Sequence, residues 1–96
     1  MIVRLTAQAE TDLEGIGDYI ARDNPSRALS FVIELRGACL SLAEMAWAFP
    51  AVPRYARHGM RRRVYGNYSI FYRIDGDEII VVHILHNAMD DLSMLP

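Results

Sequence analysis

The chain has 96 residues, 52% apolar and 23% charged, with a formal net charge of −2. That length suits one domain over residues 1–96 with a modest core. No apolar run approaches the roughly 18 residues of a membrane span, and the net acidity argues against sequence-independent nucleic-acid binding, which neutralises several phosphates at once.

Ile2-Val3-Arg4-Leu5 reads as a short first strand, and Thr6 as the N-cap of a helix. Ala9, Leu13, Ile16 and Ile20 then recur on one helical face up to about Arg22. Asp23-Asn24-Pro25-Ser26 stops and restarts the chain, with Asn24 as cap and Pro25 at the first helical position. The second helix is expected to reach about Ala46, with a stripe of Ala28, Phe31, Val32, Leu35, Cys39, Leu42 and Met45. So short a connector makes the two helices an antiparallel hairpin. Phe49-Pro50-Ala51-Val52-Pro53 breaks into a loop, and Trp47 either plugs the edge of the core, the preferred reading, or helps form a groove for a partner helix.

Period-two segments follow. Met60 to Tyr65 and Tyr68 to Ile74 are strands joined by the two-residue turn Gly66-Asn67. After Asp75-Gly76-Asp77, Glu78 to His86 forms a last strand, apolar on both faces and so expected in the middle of a sheet. Asn87 to Pro96 has apolar residues enough for a final turn or short strand. The order β-α-α-β-β-β indicates an α+β fold, a helical hairpin packed on a small curved antiparallel sheet.

Charge is unevenly placed. All ten basic residues are arginine, and six of them, Arg54, Arg57, Arg61, Arg62, Arg63 and Arg73, lie between 54 and 73 without an acid. Guanidinium forks suit carboxylates and phosphates, so the island reads either as an anion-recognising surface or as a strand edge guarded by charge. His83 and His86, three apart on a strand, face opposite sides and cannot chelate one ion. His83 is expected to be a hydrogen-bonded structural residue and His86 to face a partner, while His58 lies on a loop. Asp75, Asp77 and Glu78 suit a turn, and Asp90/Asp91 have no companion ligands, so no metal site is expected. Cys39 sits on an apolar stripe as a buried thiol. Tyr68 and Tyr72 share a face that packs on the helices, and Tyr65 is a third strand tyrosine. No serine–histidine–acid set and no glycine-rich phosphate loop occur, so neither cofactor nor catalytic residue is assigned. The lone cysteine and the start Met1-Ile2-Val3-Arg4, without a signal-peptide h-region, suit a cytoplasmic protein.

Four stretches carry a resemblance. They are Ala9-x-x-Asp12-Leu13-x-x-Ile16-x-x-Tyr19-Ile20, then Asn24-Pro25-x-x-Ala28, then Gly59-Met60-Arg61-Arg62-Arg63 with Tyr68-x-Ile70-Phe71-Tyr72-Arg73-Ile74, and finally Ile79-x-Val81-Val82-His83-Ile84-Leu85-His86. In order and spacing they resemble the ParE/RelE superfamily of bacterial toxin–antitoxin toxins, on its ParE-like branch. The resemblance implies a type II toxin, associated with plasmid stabilisation, that a cognate antitoxin neutralises through an acidic, partly disordered tail. It implies a non-enzymatic inhibitor of DNA gyrase without direct DNA binding of its own or contact with a membrane. Arg61, Arg62, Arg63, Arg73, His86 and position 89 are then the antitoxin- or target-binding residues. ParE-like chains close with His-x-x-Arg-Asp, whereas this one has His86-Asn87-Ala88-Met89-Asp90. Met89 in place of arginine keeps open a detoxified binding partner. A RelE-like, ribosome-dependent mRNA interferase is the other alternative, although that branch has a basic end with a tyrosine, and no arginine, lysine or tyrosine follows Arg73 here.

Overall fold

Strand β1 (Ile2–Leu5) leads into helices α1 (Ala7–Ala21) and α2 (Pro25–Leu40), then strands β2 (Met60–Tyr65), β3 (Tyr68–Asp75) and β4 (Glu78–His86). The computed structural model describes residues 1–89. The sheet order is β1-β4-β3-β2. The α+β expectation holds, and β4-β3-β2 form the expected antiparallel meander. Strand β1 joins it in parallel, Ile2 to Leu5 opposite Glu78 to Val81, so the whole sheet is mixed. Gly66 and Gly76 have φ of 58° and 60°, and each is the first central residue of a two-residue turn, where a type II′ hairpin requires positive φ.

The helices start where their caps place them. The Thr6 hydroxyl accepts from the Ala9 amide at 3.1 Å, and Asn24 Oδ1 accepts from Arg27 at 3.1 Å. Arg36 forks onto Glu10 at 2.8 and 2.7 Å, tying α2 to α1. The hydrogen bonds from Arg36 hold the Glu10 carboxyl below its ordinary range. Both side chains are over 40% exposed, so the pair contributes at most about 1 kcal/mol. That contribution is present above the unfolded carboxyl's pKa and is lost as pH falls through the depressed folded value.

The main core lies between helices and sheet. It joins Ala9, Leu13 and Ile16 to Leu35, Ala38, Cys39 and Leu42 over Tyr68, Ile70, Tyr72, Ile79, Val81 and Ile84. Burial pushes the Cys39 thiol up to about 12, leaving a thiolate fraction on the order of 10⁻⁵ at neutral pH. Cys39 is therefore expected to resist thiol reagents in the native state and to react only on unfolding. Rapid labelling of the folded protein would contradict that packing.

A second, smaller cluster covers the opposite face of the sheet: Val52, Met60, Phe71, Ile80 and Val82. The segment after Phe49 folds back over that face. Ala51 bridges to Arg61, the Val52 amide donates to the Met60 carbonyl at 2.9 Å, and Pro53–His58 form a 3₁₀ turn. This second layer is why β4 is buried on both sides.

Two expectations are corrected here. Helix α2 ends at Leu40, and Ser41–Glu44 tighten into a 3₁₀ turn. Met45 then leaves helical geometry at φ −144°. Ala46 takes the buried position, its carbonyl accepting from the Tyr72 hydroxyl at 2.7 Å. With Ala46 fixed inward, Trp47 points out and is 67% exposed rather than part of the core.

Candidate functional site

Strand geometry divides the three consecutive arginines. Arg61 and Arg63 pair with Tyr72 and Ile70, whose side chains lie in the helix-side core, while Arg62 pairs with Phe71 of the outer cluster. Arg63 donates to the Ala38 carbonyl at 2.8 Å and to Ser41 Oγ at 2.7 Å, placing its cation at the negative end of α2. Its guanidinium also lies 4.9 Å from the Phe49 ring centroid. Arg61 donates to the Phe49 carbonyl and lies 4.8 Å from the Trp47 ring centroid. Both side chains pin the chain that leaves α2 against the sheet.

Arg62 is on the other face. Its Nε donates to Ser69 Oγ at 2.9 Å, and its guanidinium lies 5.8 Å from the Phe71 ring centroid. Ser69, 1% exposed, donates in turn to Asn87 Oδ1 at 2.6 Å. Asn87 Nδ2 reaches the Gly66 carbonyl at 3.3 Å, and its backbone amide the Asn67 carbonyl at 2.8 Å. This network fixes the 3₁₀ turn Asn87–Met89 against the β2–β3 hairpin. Arg62 thus connects the arginine strand to the turn that ends in Met89. Arg73, also on the outer face, flanks Ile80 together with Arg4 and lines a separate cavity with it.

His83 and His86 have different surroundings. Strand β4 carries a bulge: Phe71 pairs with His83 and Tyr72 with Val81, which leaves Val82 as the extra residue. Beyond Leu5 no strand covers this edge of β4, and helix α1 does so instead. The Thr6 hydroxyl donates to the Val82 carbonyl at 3.0 Å. Asp12 Oδ2 accepts from the Ile84 amide at 2.9 Å and from His83 Nδ1. Asp12 and His83 are 11% and 7% exposed. His83 is therefore the structural histidine that was expected. Asp12 entered the sequence reading only through the first-helix motif and not as the partner of His83, because only the bulge and the end of β1 bring the two together.

His86 stacks edge-on against Tyr68, with ring centroids 5.1 Å apart, and its Nδ1 accepts from the Ala88 amide at 3.0 Å. It borders two adjoining grooves of about 450 and 530 Å³, which share Tyr19, Tyr68 and His86. Tyr19 is 63% exposed. Exposed Leu29, Ile33 and Leu40 follow along the outside of α2 at helical spacing. Sequence reasoning missed this apolar face, because helical periodicity marks the buried stripe and leaves the outer one unremarked.

Among the described residues no three histidine, cysteine or acidic side chains come together as a metal site, and no helix is long and apolar enough to cross a membrane. Asp90 and Asp91 lie outside the described residues.

The arrangement has known relatives. The structure is similar to a chain of the chromosomal ParDE toxin–antitoxin system from P. aeruginosa, with a TM-score of 0.78 and 25% identity over 90% of this chain and 95% of that one. It is also similar to a chain of the toxin–antitoxin complex RelBE2 from Mycobacterium tuberculosis, with a TM-score of 0.61 and 27% identity over 91% of each. No curated protein sequence matches the chain. The family of ParE toxins of the type II toxin–antitoxin system parDE matches residues 3–91. Spanning nearly the whole sequence, that match shows that the chain belongs to the ParE toxin family of type II toxin–antitoxin systems.

Proposed function

We propose that this chain is held by a cognate antitoxin in the cytoplasm and that its target, when released, is DNA gyrase. The observation that carries the choice of target is the engagement of Arg61 and Arg63. Their guanidiniums bond to the Phe49 and Ala38 carbonyls inside the fold, whereas in-line cleavage of RNA needs cations and a base converging on one phosphate. An inhibitor that acts by contact needs no such convergence. The exposed Leu29, Ile33 and Leu40 and the Tyr19–Tyr68–His86 groove give a protein partner apolar area to cover. The antitoxin's acidic tail meets Arg62 on the outer face.

Expression without antitoxin, read out by supercoiling with purified gyrase and by mRNA integrity on translating ribosomes, tests the target. Gyrase inhibition with intact mRNA is expected, and cleavage at the ribosomal A site would replace this reading with the interferase. Arg62→Ala is expected to weaken binding of the antitoxin tail about tenfold or more. Arg63→Ala is expected to lower stability instead. Equal affinity for the parent and the Arg62→Ala variant would remove Arg62 from the contact.

Met89 supports a second reading, a binding partner without toxicity, since methionine carries no charge to hold a carboxylate or phosphate. On that reading Met89→Arg raises growth inhibition and leaves antitoxin affinity unchanged. Equal inhibition by both chains would eliminate it.

A further inference from the structure

We propose that the cavity between Arg4, Arg73 and the start of α1 is a binding site for a phosphate oxyanion. The cavity is about 370 Å³ and is lined by Arg4, Leu5, Thr6, Ala7, Arg73 and Ile80. Its floor is one cross-strand row. Arg4 on β1 and Arg73 on β3 both pair with Ile80 on the strand between them. Two strand spacings place their backbones about 10 Å apart on one face of the sheet. Side chains of arginine's length can reach from that separation to a ligand over the middle residue, and Ile80 is 5% exposed. Both arginines thus line a cavity whose floor is the apolar Ile80.

The charge balance leaves room for an anion. Glu78 reaches Arg4 at 3.2 Å, with both side chains largely exposed. Among the described residues no acid comes within ion-pair distance of Arg73, although Asp75 lies two residues along the same strand. The positive end of α1 adds to this field. Thr6 Oγ1 takes the Ala9 amide and the Thr6 carbonyl takes the Glu10 amide, which leaves the amides of Ala7 and Gln8 as the first-turn donors without an intrahelical acceptor. The cavity wall thus carries two arginines and the first residue of α1. A tetrahedral phosphate offers these donors more acceptor oxygens than a planar carboxylate, which has two. The site is separate from the contacts of Arg61 to Arg63 and does not rest on the choice of gyrase as target.

Amide NMR shifts of the intact chain, titrated with inorganic phosphate, a nucleoside monophosphate, a short oligothymidylate and a glutamate-rich peptide, test the proposal. Saturable shifts at Thr6, Ala7 and Ile80 are expected with inorganic phosphate, with Kd on the order of 1 mM or tighter. Arg73→Gln is expected to weaken binding about tenfold, and Arg4→Gln, at a more exposed side chain, does the same without risk to the core. Arg22→Gln, which removes an arginine outside the cavity, leaves affinity unchanged. Tighter binding of the nucleotide or the oligonucleotide identifies the molecule that carries the phosphoryl group and supports the site. The proposal is overturned if phosphate gives no saturable shift at these amides. It is equally overturned if both arginine variants bind as the parent does, or if only the glutamate-rich peptide saturates them.

Discussion

Asp12→Ala is expected to remove about 2–5 kcal/mol of stability, since two buried donors lose their acceptor at about 1–3 kcal/mol each. Asp12 sits on α1 but completes the sheet. Its Oδ2 takes the Ile84 amide at 2.9 Å, a donor that a longer β1 would have satisfied, and accepts from His83 Nδ1 as well. Alanine leaves both donors without an acceptor in a region where Asp12 and His83 are 11% and 7% exposed. A domain of this size has about 5–15 kcal/mol in total, so the variant is expected to be marginal. Urea unfolding measures the effect: the midpoint falls while the slope is retained. Asp12→Asn keeps an acceptor for the Ile84 amide and is expected to lose about half as much. A loss under about 1 kcal/mol for alanine, within the range of a surface substitution, would show that the carboxylate is not what secures α1 to β4.

Phe71→Ala is expected to cost a similar 3–5 kcal/mol, through a different part of the molecule. Phe71 is 0% exposed and, among the described residues, is the only aromatic one in the cluster with Val52, Met60, Ile80 and Val82 on the outer face. Its ring also lies under the Arg62 guanidinium. Deleting it removes the surface on which the 50–58 segment rests. Limited proteolysis is therefore expected to cut within that segment in the variant and not in the parent. Unchanged protection there, with stability lost, would mean that the backbone bonds of Val52 and Arg62 to Met60 and Pro50 hold the segment without the ring.

What could be read in advance follows from the range of the interactions. Thr6, Asn24-Pro25, Gly66 and Gly76 act within a few residues of themselves, and each helix start and hairpin turn lies where these residues indicated. The run from Ile79 to Leu85, apolar but for His83, marked β4 as central for the same reason. The parallel pairing of β1 was not legible, because its partner is 76 residues away in register and no local pattern encodes that choice. The bulge at Val82, and with it the meeting of Asp12 and His83, depends on the same long-range contact. Trp47 was misplaced because the end of α2 is set by Tyr72 holding the Ala46 carbonyl. The arginine island was visible as charge. That Arg61 and Arg63 turn one way and Arg62 the other was implicit in a period-two strand, but a count of charges treats the three as one surface.

The parallel docking of β1 on β4 has a consequence for synthesis. A chain emerging N-terminus first can form its helical hairpin early, since α1 and α2 are adjacent and their contacts are local. Strand β1 and the sheet contacts of Thr6 and Asp12 have no counterpart until residues 78 to 84 have been made. The sheet's central strand is the last to arrive, and the core between helices and sheet has no centre before it does. A ribosome stalled before β4 therefore holds a helical hairpin whose apolar side has no sheet to cover it.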